Sequence, residues 1–230
     1  EALLDQVNQV EAKKRQAELR ALRHQINPHF LYNTLSTIRW MIRLRNYDGA
    51  YDGIAALVQL MEGSMEKKGV LCTLGDELDL LNKYMVIERY RYGDHIKLDI
   101  SCDPSLLGIR IPRMLLQPIV ENAIFHGLAP KEEGGHITIR IRYEGYDEAG
   151  RLLIDIKDDG LGIAKEKAAR LLHSRGESKS GMFGIGLSHV HETIQLYYGL
   201  RSGVYIESEP GAGTTIRLEL WMKEGEAHDL

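Results

Sequence analysis

Hydrophobic residues recur every three or four positions over roughly the first 92 residues, then alternate in short runs toward the end of the chain. Leu3, Val7 and Val10, then Ala17 and Ala21, stand among Lys, Glu, Gln and Arg. That is a polar helix with a narrow apolar seam, interrupted at Lys14, and both a coiled coil and one long solvated helix fit it. After Pro28, a stripe of Leu31, Leu35, Ile38 and Ile42 predicts a second helix with that stripe pointing inward. Asn46, Asp48 and Gly49 break the pattern. Ile54, Leu57, Val58 and Met61 predict a third helix ending near Gly69, and residues 76–91 a fourth with Leu80, Tyr84 and Ile87 on one side. The short turns between these helices predict antiparallel packing.

From His95 the period drops to two. Residues 95–101 read as a strand, and Pro112 stands where the first turn of a helix through Gly127 would tolerate it. Residues 136–143 and 151–158 alternate well and predict a hairpin. A Gly/Ser/Lys-rich stretch, residues 174–186, precedes a helix through about Tyr198, and a second hairpin turns around Gly211 and Gly213. The expected fold is α+β: a helical segment over 1–92, then from 93 to 230 an antiparallel-rich sheet with helices on one face, an α/β sandwich.

Composition narrows the function. The chain has 230 residues, a formal net charge of −4 and a pI near 6.2, so bulk positive charge does not point to nucleic acid. Two cysteines, Cys72 and Cys102, make no disulfide framework and are expected as buried thiols of a reducing compartment. No apolar run approaches the roughly 20 residues of a bilayer span. The chain begins at Glu1, so a sensing and membrane part is expected elsewhere in a longer protein.

Several short motifs bear on chemistry, and each alone has an ordinary structural reading. Asp158-Asp159-Gly160-Leu161-Gly162 after a strand reads as a turn. Gly184-Ile185-Gly186-Leu187 opens a helix, and its N–H groups suit phosphate. Gly211-Ala212-Gly213-Thr214 reads as a hairpin turn. Glu121-Asn122 is a polar pair in an apolar helix, where Asn needs a reason to stand. In this order the motifs resemble the nucleotide-binding boxes of the GHKL ATPase and kinase superfamily, with its Bergerat-type fold, over residues 95–222. The resemblance implies Mg·ATP as ligand. Asp158 would take adenine's amine, Gly160 and Gly162 would admit the base, and Thr214 would complete that side. Asn122 would offer an oxygen to Mg²⁺. Residues 174–186 would form a lid with Gly184 and Gly186, Lys179 or Arg175 touching phosphate.

ATP-hydrolysing members of that superfamily have a Glu four residues before this Asn, where this chain has Pro118, and Glu121 stands about 100° of helix away from Asn122. A kinase is therefore expected. Sensor kinases commonly place Lys three residues after the Asn; here Phe125 stands there, and His126 is the expected phosphate contact. Residues 22–35, LRHQINPHFLYNTL, resemble the phosphoacceptor segment of LytS/YesM-like sensor histidine kinases. That resemblance makes His29 the acceptor, with His24 its rival, and Asn33, one turn on, an orienting partner. Pro28 would kink the helix there. The other histidines (His95, His136, His173, His189 and His191) read as surface or capping residues. The family further implies a homodimer, a response regulator whose Asp receives the phosphoryl group, and a cytoplasmic position below a membrane sensor. A GHKL serine kinase and a non-enzymatic ATP-binding adaptor share the pocket but need no NPHF segment.

Overall fold

The computed structural model describes residues 28–65, 71–146, 149–171 and 185–222. The seam of residues 1–21, His24, His173, and the loop with Arg175, Lys179 and Gly184 lie outside the described residues. The chain divides into two compact units between Val70 and Leu71.

Among its described residues the first unit is a helical hairpin, α1 (Pro28–Arg43) and α2 (Tyr47–Met65). Asn46 Oδ1 accepts the Gly49 N–H at 3.0 Å, so the residues that break the hydrophobic pattern cap the second helix. Ile38 and Met41 are buried against this turn and α2, where Ala50 and Leu57 are buried too. Gly53 lets the helices close, since a Cβ there would stand 3.2 Å from Ile38 Cγ1. The inward stripe is only partly realised. Ile38 is buried, but Leu35 and Ile42 remain 56% and 48% exposed, and Ile54 and Val58 on α2 are exposed too. Two helices share one contact line, here Thr34, Ile38 and Met41, and the stripe is wider than that line.

The second unit opens with β1 (Leu71–Thr73) and α3 (Leu74–Tyr92). Thr73 and Asp76 form a reciprocal capping box at the start of α3. The expected division near residue 93 therefore falls one helix later than the compact unit begins. The cause is Glu77, which is 1% exposed and accepts the N–H groups of Met114 at 3.1 Å and Leu116 at 3.0 Å. The buried face of α3 is Leu74, Glu77, Leu78, Leu81, Tyr84, Ile87 and Glu88, so Leu80 lies off it. Cys72 is buried beside Glu77, and burial pushes its thiol up to about 12; Cys102 is only half-buried.

The main sheet contains β2 (Ile96–Cys102), β4 (Gly135–Tyr146), β5 (Ala149–Asp158), β6 (Gly203–Glu209) and β7 (Gly213–Trp221), in the order β2-β4-β5-β7-β6. The β2–β4 pair is parallel and the others antiparallel. A short strand, β3 (Arg110–Pro112), pairs with β1. Pro112 thus ends a strand; the helix α4 (Gln117–Asn122) starts later with Pro118 in its first turn, and runs on as a π-helical turn (Ala123–Leu128). Helices α5 (Lys165–Leu171) and α6 (Ile185–Tyr198) complete the unit. One sheet face buries Ile139, Ile156 and Ile216 in one cross-strand row and Ile141, Ile154 and Leu218 in the next. The opposite face carries charged side chains, with Asp155 bridging Arg142 and Arg217, and Arg151 bridging Glu144 and Glu219. No helix among the described residues is long and apolar enough to cross a membrane.

Candidate active site

Alternation along β5 sends Leu152, Ile154 and Ile156 to the helix-covered face, and Asp158 is next in phase. A carboxylate thus stands where the pattern calls for hydrocarbon, 5% exposed. Its Oδ1 accepts the N–H groups of Gly160 at 2.9 Å and Thr214 at 3.3 Å. Burial raises this carboxyl above its ordinary value; the two N–H groups and Lys131 pull it back, while the charge of Asp159 adds to the rise. Both backbone donors use the same oxygen, so Oδ2 is the one available to a ligand.

The Asp-Gly loop is held on two sides. A Cβ on Gly160 would come within 2.5 Å of Gly127 Cα, and one on Gly127 within 2.9 Å of Asp158 Oδ1, so these backbones touch only as glycines. Gly162 has φ +62°, and a Cβ there would reach 1.9 Å from the Glu209 carbonyl. Ser208 ties the other wall together, bonding Thr214 Oγ1 at 2.9 Å and accepting the Ile163 N–H at 2.9 Å.

The π turn matters for what faces the cleft. The Ala129 N–H bonds the Ile124 carbonyl five residues back, at 2.7 Å. A π turn is wider than an α turn, so the residue four on comes round to the starting side. Asn122, Ala123, His126 and Gly127 accordingly line the cleft and Phe125 does not. Opposite them stand Asp158, Gly162 and Thr214, with walls of Ile119, Ile156, Ile163, Leu171, Leu187, Ile206 and Ile216. Gly186, in the first turn of α6, lies beside Asn122, since a Cβ there would be 3.8 Å from Asn122 Nδ2. Glu121 turns elsewhere: it is 7% exposed and accepts Gln117 Nε2 at 3.0 Å. Pro118 faces Gly186. A narrow apolar slot ending in one buried carboxylate oxygen suits a planar ring that bears an amino donor.

Of the predicted residues, Asn122, His126, Asp158, Gly162, Gly186 and Thr214 are thus brought together, with Gly160 behind Asp158. The backbone of His29 and Asn33 lies at the start of α1 in the other unit. Sequence reasoning missed Gly127 and Ser208. Gly127 reads as a helix stop, and Ser208 as one polar residue of an alternating strand. One histidine does brace backbone: His191 Nδ1 accepts the Val204 N–H at 3.0 Å; at His136 it is the backbone N–H that donates, to Asp159 Oδ1 at 2.8 Å.

Comparison with known proteins agrees with this geometry. Residues 17–96 match the family model described as histidine kinase, and residues 109–224 the one described as histidine kinase-, DNA gyrase B-, and HSP90-like ATPase. The chain is 34% identical over 202 residues to the sensor histidine kinase YesM of Bacillus subtilis, covering 88% of this chain and 33% of that protein. It is 29% identical over 228 residues to the sensor protein kinase HptS of Staphylococcus aureus, covering 98% of this chain and 42% of that one. The chain spans well under half the length of these curated relatives. In fold, the catalytic domain of histidine kinase ThkA matches with a TM-score of 0.50 at 15% identity, over 68% of this chain and 97% of that domain. With the histidine kinase segment followed in order by the ATPase-type domain, the chain belongs to the histidine kinase family of the LytS/YesM type.

Proposed function

We propose that this chain is the kinase core of a two-component sensor, which phosphorylates His29 from Mg·ATP and passes the phosphoryl group to an Asp of a response regulator. The observation that carries the reading is Asp158, whose Oδ1 is saturated by backbone and whose Oδ2 is left for a donor at the end of an apolar slot. Adenine supplies that donor as its exocyclic amine. Thr214 and Gly162 border the same end, and Asn122 and His126 stand on the helix opposite.

Asn122 fits a Mg²⁺ ion that arrives on the nucleotide. It gives one uncharged oxygen, and the described residues hold no group of three or more His, Cys, Asp or Glu that would make a protein-built cage. When bound, Mg²⁺ would neutralise phosphate charge. His126 contacts phosphate on the same face, as does Gly186; Gly184 and Lys179, outside the described residues, are given the same role by the family resemblance alone.

The transfer itself needs positioning more than covalent chemistry from the pocket. The unprotonated ring nitrogen of His29 forms the new N–P bond while the bond from the γ-phosphorus to the bridging oxygen breaks, and ADP leaves. Asn33, one helical turn on, is assigned the orienting role without acting as a base, and the proton on the other ring nitrogen passes to solvent as the product neutralises. With Pro118 four residues before Asn122 and Glu121 bonded to Gln117, the cleft offers water no carboxylate base from that helix, which favours transfer to protein over hydrolysis.

Domain roles follow. The helical hairpin dimerises and carries the acceptor; the unit that begins at Leu71, which includes α3, binds ATP. The exposed Leu35, Trp40, Ile42 and Tyr51 on the helical hairpin are the apolar surface that a second copy covers, since two helices alone do not bury it. The relatives are named sensors and are longer, which supports a sensing part beyond this chain; membrane segments there and a cytoplasmic kinase core are what the family resemblance implies.

Incubation with γ-labelled ATP tests the reading. Label should be acid-labile and alkali-stable, and absent from His29→Ala, which still binds ATP. Acid-stable label indicates a hydroxyl acceptor and overturns it; label persisting on His29→Ala moves the acceptor elsewhere.

A further inference from the structure

We propose that Arg91, at the end of α3, grips the phosphates of the nucleotide bound in the cleft. This rests on the cleft being the ATP site. ATP brings several negative charges, yet the described side chains lining the cleft include no lysine or arginine. Lys179 of the lid lies outside the described residues, so among the described residues a phosphate cation has to come from the rim of the cleft.

The nearby basic residues are not equivalent. Lys131 is committed to Asp159, donating to its carbonyl at 2.8 Å. Arg89 pairs with Asp94 at 3.1 Å. Arg91 has no carboxylate within ion-pair distance among the described residues. Its guanidinium instead stacks on two rings, 5.0 Å from the centre of Tyr92 and 5.1 Å from that of Phe125. Glu88, one turn back, feels its charge but is 3% exposed within the core.

Phe125 fixes where that guanidinium sits. It belongs to the π turn, directly before His126 and three residues past Asn122, the two cleft residues assigned above to phosphate and Mg²⁺. Phe125 itself offers phosphate nothing. A guanidinium lying over its ring keeps its N–H donors directed outward in their own plane, where they match two phosphate oxygens at once. Stacking also holds the long side chain in place before the ligand arrives, so less freedom is lost on binding. The ring is thus a seat for a cation carried by a different helix.

Calorimetric titration of the 230-residue chain with ATP and with adenosine, in the presence of Mg²⁺, tests this. Arg91→Gln should weaken ATP about tenfold to a hundredfold while leaving adenosine within about twofold. Arg91→Lys, which keeps charge without the planar fork, should fall between. An unchanged preference for ATP over adenosine in Arg91→Gln, in a chain whose Asp158→Ala variant loses both ligands, overturns the proposal and leaves the cleft assignment standing. If Arg91→Gln loses adenosine too, Phe125→Leu decides. It should narrow the ATP preference by unseating the guanidinium, and no narrowing overturns the idea. A wild-type chain that binds neither ligand overturns the cleft reading and this proposal with it.

Discussion

Glu77 Oε1 accepts the N–H of Leu116 at 3.0 Å across 39 residues of chain, and its Oε2 takes the N–H of Met114. One buried carboxylate on α3 thereby shapes the loop that feeds the helix carrying Asn122. Met114 sits in the left-handed region at φ +59°, a conformation a non-glycine residue holds only when its surroundings require it.

Glu77→Gln should therefore be costly despite its near-identical shape. An amide can accept at one of the two positions, and its NH₂ then faces a backbone N–H. We expect a loss of about 2–3 kcal/mol and a melting temperature lower by about 5–10 °C, with weaker ATP binding as α4 loses its support. Thermal melts with and without ATP measure both. A Glu77→Gln chain that melts with the wild type would show that the clasp is dispensable.

Asp158→Asn tests which oxygen the ligand uses. Oδ1 must keep accepting from Gly160 and Thr214, so the carboxamide oxygen is drawn there and the NH₂ faces the slot. A donor then meets adenine's amino donor. ATP affinity should fall by about a hundredfold, while GTP, whose ring presents an acceptor at that position, falls less. Parallel titrations with both nucleotides report the ratio; an unchanged ATP-to-GTP preference would remove Asp158 from base recognition.

Much of this cleft is written in the local pattern. Leu152, Ile154, Ile156 and Asp158 stand in one phase, as do Thr214, Ile216, Leu218 and Leu220, so alternation puts Asp158 and Thr214 on the covered face, and the β5–β7 register then sets them side by side. Glu77 was not legible. A Glu in a helix of Asp, Glu, Lys and Arg reads as a solvated face, and its burial depends on a loop 37 to 39 residues away. The Gly127–Gly160 contact is equally non-local. The stripe of Leu35, Ile38 and Ile42 reads inward because periodicity shows which face is apolar, not what covers it.

Glu88 predicts a pH dependence of stability. Burial, reinforced by the charge of Glu121 and offset by Arg91 and Tyr84, lifts its carboxyl from 4.5 to about 7. Between those values the folded chain holds a proton that the unfolded chain releases. Stability from this group is therefore fully present below pH 4.5, falls as pH rises, and is lost above 7. A shift of this size corresponds to about 3 kcal/mol. Glu88→Gln, neutral at every pH, should be more stable than wild type by about 2–3 kcal/mol at pH 8 and nearly equal to it at pH 4.5. Denaturant unfolding across that range checks the slope, and parallel curves for the two chains would contradict the assignment.

The two glycine motifs should respond in opposite ways to the same substitution. A methyl group at Gly160 meets the backbone of Gly127 at 2.5 Å, and neither strand end nor helix can give way cheaply. Gly160→Ala should cost about 2 kcal/mol or more and abolish binding of ATP and adenosine together, because Asp158 moves with the loop. A methyl group at Gly186 meets only ordinary contacts, 3.5 Å from Pro118 Cβ and 3.8 Å from Asn122 Nδ2. In the first turn of α6 alanine is the better helix former, so Gly186→Ala should raise stability by about 0.5–1 kcal/mol. That methyl also stands beside Asn122, where phosphate must approach the helix end. ATP affinity should therefore fall while adenosine affinity does not. A Gly186→Ala chain that is more stable and binds ATP as tightly as wild type would show that the phosphates pass this helix at a distance, and that its glycine serves the fold alone.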